Sequence, residues 1–184
     1  ELGGKNPNII MSDADLDIAI QGVIDGMRYT RQGQACTAGS RVYIQEKIYD
    51  KVLDGAVEKL SKLKMGNALD ESSDIGAIIS EEQLKRTLHY VDIAKKNSST
   101  KVAHGGNQPT GGDYKNGFFY EPTLMSGVPV SSPVCQEEIF GPVACAIPFK
   151  TFDEVMNSAN DTPFGLSAVL WTQNLSRALQ FVEE

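Results

Sequence analysis

One cysteine in this chain is placed where other molecules can reach its thiol. Residues 32–41 read QGQACTAGSR, so glycine and other small residues surround Cys36. If residues 37–40 begin a helical turn, their unpaired backbone N–H groups favour the thiolate over the thiol. The thiolate is the nucleophilic form, which makes Cys36 a candidate for covalent catalysis. A lone cysteine is more often a small buried apolar residue, so the choice depends on the neighbouring motifs.

Two further segments combine carboxylates with glycine. Residues 1–5 read ELGGK and place Glu1 before a glycine turn, while residues 137–143 read EEIFGPV. In the second segment, paired carboxylates precede a rigid Phe-Gly-Pro turn that presents an aromatic ring outward. Each segment also has an ordinary interpretation, as a solvated terminal charge or a solvated edge.

Together the three segments resemble a known family. QACTAGSR at residues 34–41 resembles the catalytic-cysteine signature of the NAD(P)-dependent aldehyde dehydrogenases. ELGGK resembles the general-base motif of that family, and EEIFGPV resembles its nicotinamide-ribose motif, in the family's order and at about its separations. The connecting segments are similar as well, so the resemblance covers essentially the whole chain, although the chain covers only part of the family's length.

The resemblance implies a reaction and assigns residues to its steps. The Cys36 thiolate attacks an aldehyde carbonyl to give a thiohemiacetal, whose oxyanion the Cys36 backbone N–H helps to stabilise. Hydride then leaves for the nicotinamide of NAD or NADP. Glu1 takes a proton from the water that hydrolyses the resulting thioester. The substrate class is a small-molecule aldehyde.

The resemblance also implies a cofactor site. Glu138 binds the hydroxyls of the nicotinamide ribose, Phe140 packs against the nicotinamide ring, and Gly3 belongs to the same cofactor-binding set. By weaker positional matching, Gln83 and Arg86 approach the adenosine side. Arg86 occupies a position where the family more usually has lysine.

Two other functions fit parts of this pattern. A CoA-acylating subgroup of aldehyde dehydrogenases makes acyl-CoA from the same thioester and typically lacks the general-base glutamate, so Glu1 favours water as the acceptor. A non-catalytic assembly fragment is the other alternative. Such a module needs none of Cys36, Glu1 and Glu138, and the presence of all three favours an enzyme.

The ends of the chain predict an excised domain. The sequence opens on Glu1 without an initiator methionine and stops inside a segment with helical spacing. We expect residues 1–184 to be a cysteine-bearing catalytic domain, truncated at both ends and inactive when isolated. The family's coenzyme-binding domain and C-terminal segment are absent from this chain. The resemblance implies a homo-oligomer, a dimer or tetramer, for the full-length protein.

Composition excludes several other classes of function. Against 24 Asp+Glu the chain has 17 Lys+Arg, giving a net charge of -7 without any basic block, which excludes nucleic acid and anionic membranes as partners. The longest apolar runs, such as residues 143–149, are far shorter than the roughly 20 residues of a membrane span.

Three cysteines without Cys-x-x-Cys spacing suit a reducing, cytoplasmic compartment. His89 and His104 lack partners at ligand spacing, so we predict no metal site.

Local patterns predict the elements that position these residues. Hydrophobic periodicity predicts five strands, at residues 6–11, 41–45, 101–103, 143–149 and 166–171. It predicts five helices, at residues 16–27, 48–63, 80–94, 153–160 and from 175 onward. Ser12 and Asp13 are candidate N-caps of the first helix, and Ser80 with Gln83 fits a capping box. Residues 105–117 are rich in glycine but lack a phosphate-binding pattern, which predicts a surface loop. The alternation predicts an α/β fold, with a mainly parallel sheet and helices on both faces.

Overall fold

The computed structural model describes residues 2–183, and over this range strands alternate with helices as predicted. The strands are β1 (Pro7–Ile10), β2 (Arg41–Gln45), β3 (Lys101–His104), β4 (Thr123–Ser126), β5 (Val143–Phe149) and β6 (Val169–Trp171). The helices are α1 (Leu16–Gly26), α2 (Tyr49–Ser61), α3 (Glu81–Lys95), α4 (Pro133–Gln136), α5 (Phe152–Asn160) and α6 (Leu175–Glu183). None of these helices is long and apolar enough to cross a lipid bilayer.

Within the described range the strands form one sheet in the order β3-β4-β5-β2-β1-β6. Neighbouring strands run parallel except β3 and β4, which are antiparallel. The register pairs Pro7 at the start of β1 with Arg41 at the start of β2, and Arg41 with Cys145 in β5. The predicted α/β class with a mainly parallel sheet is confirmed.

Helices cover both faces of this sheet. On one face α1 and α2 pack against the strands, and on the other face α3, α4 and α5 do so. Alternate residues of β5 enter the two cores, with Cys145 in one and Ala146 in the other. A strand buried on both faces has an almost continuous apolar sequence, which explains the run at residues 143–149.

The N-cap of the first helix differs from the one that the sequence predicted. Its N-cap is Asp15, whose carboxylate accepts from the Ile18 N–H at 3.2 Å, so the expectation of Ser12 or Asp13 was wrong. Asp13 forms an ion pair with Arg177 in α6 at 3.2 Å instead. A tertiary contact therefore occupies the carboxylate that local propensity assigned to the helix end.

Two short elements, β4 and α4, were not predicted. Each has four residues, and β4 is defined by its pairing with β5. The strand expected at residues 166–171 is confined to β6, where it pairs with Asn8–Ile10 of β1. Strand length here depends on the partner strand and not on the local sequence.

Candidate active site

The three motifs singled out in the sequence meet at one edge of the sheet. The Gly3–Gly4 turn precedes β1, the Cys36 segment precedes β2, and the Glu138–Phe140 loop precedes β5. These strands are neighbours in the order β5-β2-β1 and run parallel, so their amino ends lie side by side. Ligand sites of open α/β sheets usually lie at the opposite, carboxyl edge. The sequence motifs therefore converge although 134 positions separate Gly4 from Glu138.

Cys36 lies in a tight turn and not at the start of a helix. The Ala38 N–H donates to the Ala35 carbonyl at 3.0 Å, and the chain then runs irregularly to β2. The helical turn expected at residues 37–40 is absent, so the thiol does not face a helix N-terminus. Cys36 is partly exposed. Within residues 2–183 its backbone N–H has no hydrogen-bond partner, which leaves that N–H available as a donor.

The residues after the glycine turn hold the Cys36 backbone. Asn6 Nδ2 donates to the Cys36 carbonyl at 2.6 Å and to the Ala38 carbonyl at 3.1 Å. A Cβ at Gly4 would lie 2.1 Å from the Cys36 carbonyl oxygen, closer than real contacts allow. Only glycine at position 4 permits this approach of the two backbones.

The glycine turn also contacts the second candidate carboxylate. Gly4 N–H donates to Glu138 Oε1 at 2.9 Å. Gly3 has a φ of 78°, a left-handed conformation that favours glycine, and a Cβ there would lie 2.8 Å from Glu138 Oε2 and displace that carboxylate. Glu1, the candidate base, lies outside the described residues, two positions before this turn.

Helix α3 holds the loop that carries Glu138 and Phe140. Gln83 Nε2 donates to the Ile139 and Phe140 carbonyls, both at 2.8 Å, and Arg86 Nη2 donates to the Glu138 carbonyl at 2.5 Å. Phe140 has a φ of 57°, a left-handed conformation that costs free energy for a bulky residue and that the surrounding contacts must maintain.

These contacts give Gln83 a different role from the one expected of a capping box. Ser80 caps α3 by accepting from the Gln83 N–H at 3.2 Å, as predicted. The reciprocal bond from the Gln83 side chain is missing because that side chain donates to the loop instead. The approach of Gln83 and Arg86 to adenosine stays a prediction.

A second glycine contact joins the cysteine segment to the same loop. Gly33, with a φ of 63°, lies so close to Gly141 that a Cβ would come within 2.3 Å of the Gly141 carbonyl oxygen. Behind it, the buried Tyr29 hydroxyl donates to the Thr123 carbonyl at 2.9 Å. The cysteine turn, the glycine turn and the Glu138 loop therefore form one packed unit.

Two buried basic residues, Lys5 and Arg41, lie beneath this unit, and sequence reasoning missed both. Loss of solvent on burial lowers the pKa of Lys5. Arg41 is completely buried and donates to the carbonyls of Lys5, Ser158 and Ala159, so its charge faces the C-terminal end of α5. Positive residues at the borders of apolar strands are the signal that could have identified them, because a buried charge needs partners.

The other two cysteines are inaccessible. The position of Cys135 next to the acidic pair predicts a loop and intermediate reactivity, but Cys135 lies in α4 and is 0% exposed, while Cys145 is 1% exposed. A hydrogen bond between the thiols lowers the pKa of Cys135 and, together with burial, raises that of Cys145. Access and not thiol acidity therefore decides which of the three cysteines reacts.

Brief iodoacetamide treatment of the folded protein at neutral pH should label Cys36 and leave Cys135 and Cys145 unmodified. The physical reason is that Cys36 is partly exposed whereas the other two sulfurs are enclosed in the core. Peptide mapping measures the outcome, and the same reaction in denaturant should label all three cysteines. Preferential labelling of Cys145 in the folded protein would contradict the assignment of Cys36 as the accessible nucleophile.

Comparison with known sequences gives a consistent set of relatives. A sequence model described as "Aldehyde dehydrogenase family" matches residues 1–184. A betaine aldehyde dehydrogenase of Mesorhizobium japonicum is 40% identical over 184 residues, which are 100% of this chain and 37% of that protein. A D-glyceraldehyde dehydrogenase (NADP(+)) of Picrophilus torridus is 42% identical over 175 residues, 95% of this chain and 35% of that protein. The chain thus spans little more than a third of the length of these relatives.

The solved structures that this chain resembles are also aldehyde dehydrogenases. Betaine aldehyde dehydrogenase from Staphylococcus aureus in complex with NAD+ matches with a TM-score of 0.95 at 37% identity, covering 100% of this chain and 36% of that one. An NAD+ complex of aldehyde dehydrogenase from Bacillus cereus matches with a TM-score of 0.92 at 38% identity, covering 98% and 36%. The fold described above is therefore the fold of about a third of each of these proteins.

Proposed function

Because the chain belongs to the aldehyde dehydrogenase family, we propose that the full-length protein oxidises an aldehyde to a carboxylic acid with NAD or NADP. The reaction proceeds through a thiohemiacetal and a thioester on Cys36. The observation that carries this proposal is the convergence of the Cys36 turn, the Gly3–Gly4 turn and the Glu138 loop at the amino edge of the sheet.

Cys36 supplies the nucleophile. Its thiolate attacks the aldehyde carbon, forming the C–S bond while the carbonyl oxygen becomes an oxyanion. The Cys36 N–H, which has no hydrogen-bond partner in the part of the chain that the structure describes, donates to this oxygen. Loss of hydride from the adduct leaves a thioester on Sγ.

The residues at the site fit a nicotinamide cofactor, which when bound supplies the ring that accepts the hydride. Glu138 Oε1 is occupied by the Gly4 N–H, and Oε2 has no hydrogen-bond partner among residues 2–183, so it is left to accept from ribose hydroxyls. Phe140 is half-buried beside Glu138 and can limit the movement of the ring. The absence of a side chain at Gly3 keeps the space next to the Glu138 carboxylate open.

Glu1 acts as the base in the second half of the reaction. It removes a proton from the water that attacks the thioester, which releases the carboxylic acid and regenerates the Cys36 thiolate. This role rests on the match of ELGGK to the family's general-base motif.

We also propose that residues 1–184 are the cysteine-bearing part of a catalytic domain, and that other parts of a longer protein complete the cofactor site. The relatives are nearly three times as long as the matched segment, since it makes up only 35–37% of them. The glycine-rich segment at residues 105–117 lacks a phosphate-binding pattern, so the dinucleotide phosphates need a site elsewhere. A cytoplasmic homo-oligomer, dimer or tetramer, belongs to the same proposal.

The experiment that tests the proposed function is an aldehyde panel on the full-length protein with NAD and with NADP. The panel includes betaine aldehyde and glyceraldehyde, which occur in the names of the relatives. We expect aldehyde-dependent formation of reduced nicotinamide, with a free carboxylic acid as the product. If reduced nicotinamide formed in steady state only when CoA was added, with acyl-CoA and no free carboxylic acid as the product, the CoA-acylating alternative would replace this proposal. No reaction with any aldehyde would favour an assembly role.

Replacing Gln83 with alanine should raise the KM for the cofactor about tenfold, with a smaller effect on kcat. The substitution removes two hydrogen bonds that hold the left-handed Phe140, each worth about 1 kcal/mol. Steady-state kinetics with varied NAD or NADP measures the change. Glu82→Ala, an exposed neighbour in the same turn of α3, is the matched control and should behave like wild type. An unchanged KM in Gln83→Ala would show that the loop keeps its conformation without this side chain.

A further inference from the structure

Two asparagines near the start of β1 are almost completely buried. Asn6, directly before β1, is 3% exposed, and Asn8, within β1, is 1% exposed in a strand whose other members are apolar or proline. Asparagine is depleted in strands, and a buried amide is costly unless its donors and acceptor are paired. Both side chains are paired, but to different parts of the molecule.

Asn6 joins three separate segments at the candidate active site. Its Nδ2 donates to the Cys36 carbonyl at 2.6 Å and to the Ala38 carbonyl at 3.1 Å, while its Oδ1 accepts from the Ser167 N–H at 3.0 Å. Because Cys36 lies in a turn, no helical hydrogen-bond ladder fixes its backbone. The Asn6 amide replaces that ladder with bonds from the neighbouring strand.

We propose that Asn6 is a positioning residue for Cys36, which fixes the direction of the thiol and of the backbone N–H groups around it. The proposal rests on the proposed function and extends it to a residue outside the three motifs. A planar peptide couples the Cys36 carbonyl to the Thr37 N–H, which points the opposite way. Holding the carbonyl toward Asn6 therefore sets the orientation of the whole peptide that follows the nucleophile.

Asn8 provides a control that is matched in residue type and burial and lies two positions further along the chain, in β1. Its Nδ2 donates to the Gly22 carbonyl at 3.1 Å, and its Oδ1 accepts from Trp171 Nε1 at 2.7 Å. These bonds join β1 to α1 and β6 and do not involve the Cys36 carbonyl. A substitution at Asn8 should therefore cost similar stability without releasing the cysteine turn.

At both positions, aspartate is the substitution that removes the side-chain N–H donors while keeping an oxygen acceptor. In Asn6→Asp the carboxylate keeps the acceptor for Ser167 N–H and loses both donors to the cysteine turn. In Asn8→Asp the acceptor for Trp171 is kept and the donor to Gly22 is lost. Alanine at each position removes all the bonds, so agreement between Asn6→Asp and Asn6→Ala excludes an effect of the new charge.

The first measurement is pre-steady-state kinetics on the full-length protein with its aldehyde and NAD or NADP. Misplacement of a reacting group by about 1 Å can cost on the order of 10²-fold. We expect both Asn6 variants to lower the burst rate constant and kcat by about 10- to 100-fold, with the cofactor KM changed less than about twofold. Both Asn8 variants should keep the wild-type burst.

The second measurement does not depend on activity. Loss of two hydrogen bonds should increase local opening of the cysteine turn, so exchange of the Ala38 amide, which donates to the Ala35 carbonyl, should accelerate about tenfold in the Asn6 variants only. Mass spectrometry of the peptide that covers these residues measures the rate.

The outcomes separate the two proposals. If wild type forms no reduced nicotinamide with any aldehyde, the proposed function fails, while amide exchange still decides the role of Asn6. If wild type gives a burst and the Asn6 variants match the Asn8 variants in burst and exchange, the positioning role is wrong and the function stands. A parallel rise in cofactor KM would also overturn the positioning role, because such a rise would indicate general loosening of the site.

If Asn6→Ala does not fold, Asn6→Ser, which keeps one hydroxyl donor, should fall between wild type and Asn6→Asp in both measurements.

Discussion

Replacing Cys36 with alanine should abolish aldehyde oxidation by the full-length protein, with kcat reduced by about 10⁴-fold or more. Without the thiolate no C–S bond forms, so neither the thiohemiacetal nor the thioester exists. The burst of reduced nicotinamide should disappear together with steady-state turnover. The fold should remain, because Cys36 is only partly buried and its side chain contributes little to either core.

The measurement is absorbance of the reduced nicotinamide after rapid mixing, with circular dichroism to confirm folding. Cys135→Ala is the matched control, since it also removes one thiol, but from a residue that is 0% exposed. This control should keep kcat within about threefold of wild type while losing some stability, because it leaves a small cavity. Substantial oxidation by Cys36→Ala would rule out the covalent mechanism and require another acceptor for the aldehyde.

Replacing Glu1 with glutamine should lower the steady-state rate by about 10²- to 10⁴-fold while leaving the first turnover in place. Glutamine keeps the size and polarity of the side chain but cannot accept the proton from water. Hydride transfer precedes this step, so a burst equivalent to one reduced nicotinamide per active site should survive. The trapped thioester on Cys36 should be detectable by mass spectrometry of the intact protein.

Glu137→Gln serves as the control for this experiment. It neutralises a carboxylate one residue from Glu138, in a side chain that accepts from the Tyr90 hydroxyl at 2.5 Å. We expect it to retain most of the steady-state rate, because Glu137 faces α3 and takes no part in the proposed hydrolysis. Wild-type turnover in Glu1→Gln would mean that Glu1 is only a turn residue, and the CoA-acylating alternative would then need to be tested first.

The two variants therefore distinguish formation of the thioester on Cys36 from its hydrolysis. Cys36→Ala should remove the burst and the turnover, whereas Glu1→Gln should remove only the turnover. A single steady-state assay cannot distinguish them, but the burst amplitude can.

The sequence by itself determined the class of fold and predicted the chemistry. Short motifs made Cys36, Glu1 and Glu138 the candidate site residues, because the residue types and their immediate neighbours carry that information. Hydrophobic periodicity identified α1, α2, α3, β2 and β5, because the spacing of apolar residues along a chain depends on the local geometry of helix or strand. Alternation of the two then favoured a parallel sheet.

The tertiary structure decided where the Cys36 turn, the Gly3–Gly4 turn and the Glu138 loop meet and what holds them. The amino edge of β1, β2 and β5 became the candidate site only through the strand order, which no local pattern encodes. The contacts of Gly4 with Glu138 and of Gln83 with Phe140 span 134 and 57 positions. Cys36 lies in a turn and Cys135 is buried for the same reason, since neighbours distant in sequence determine backbone shape and access. Asn6 looked like an ordinary strand residue until the fold placed its amide against the Cys36 carbonyl.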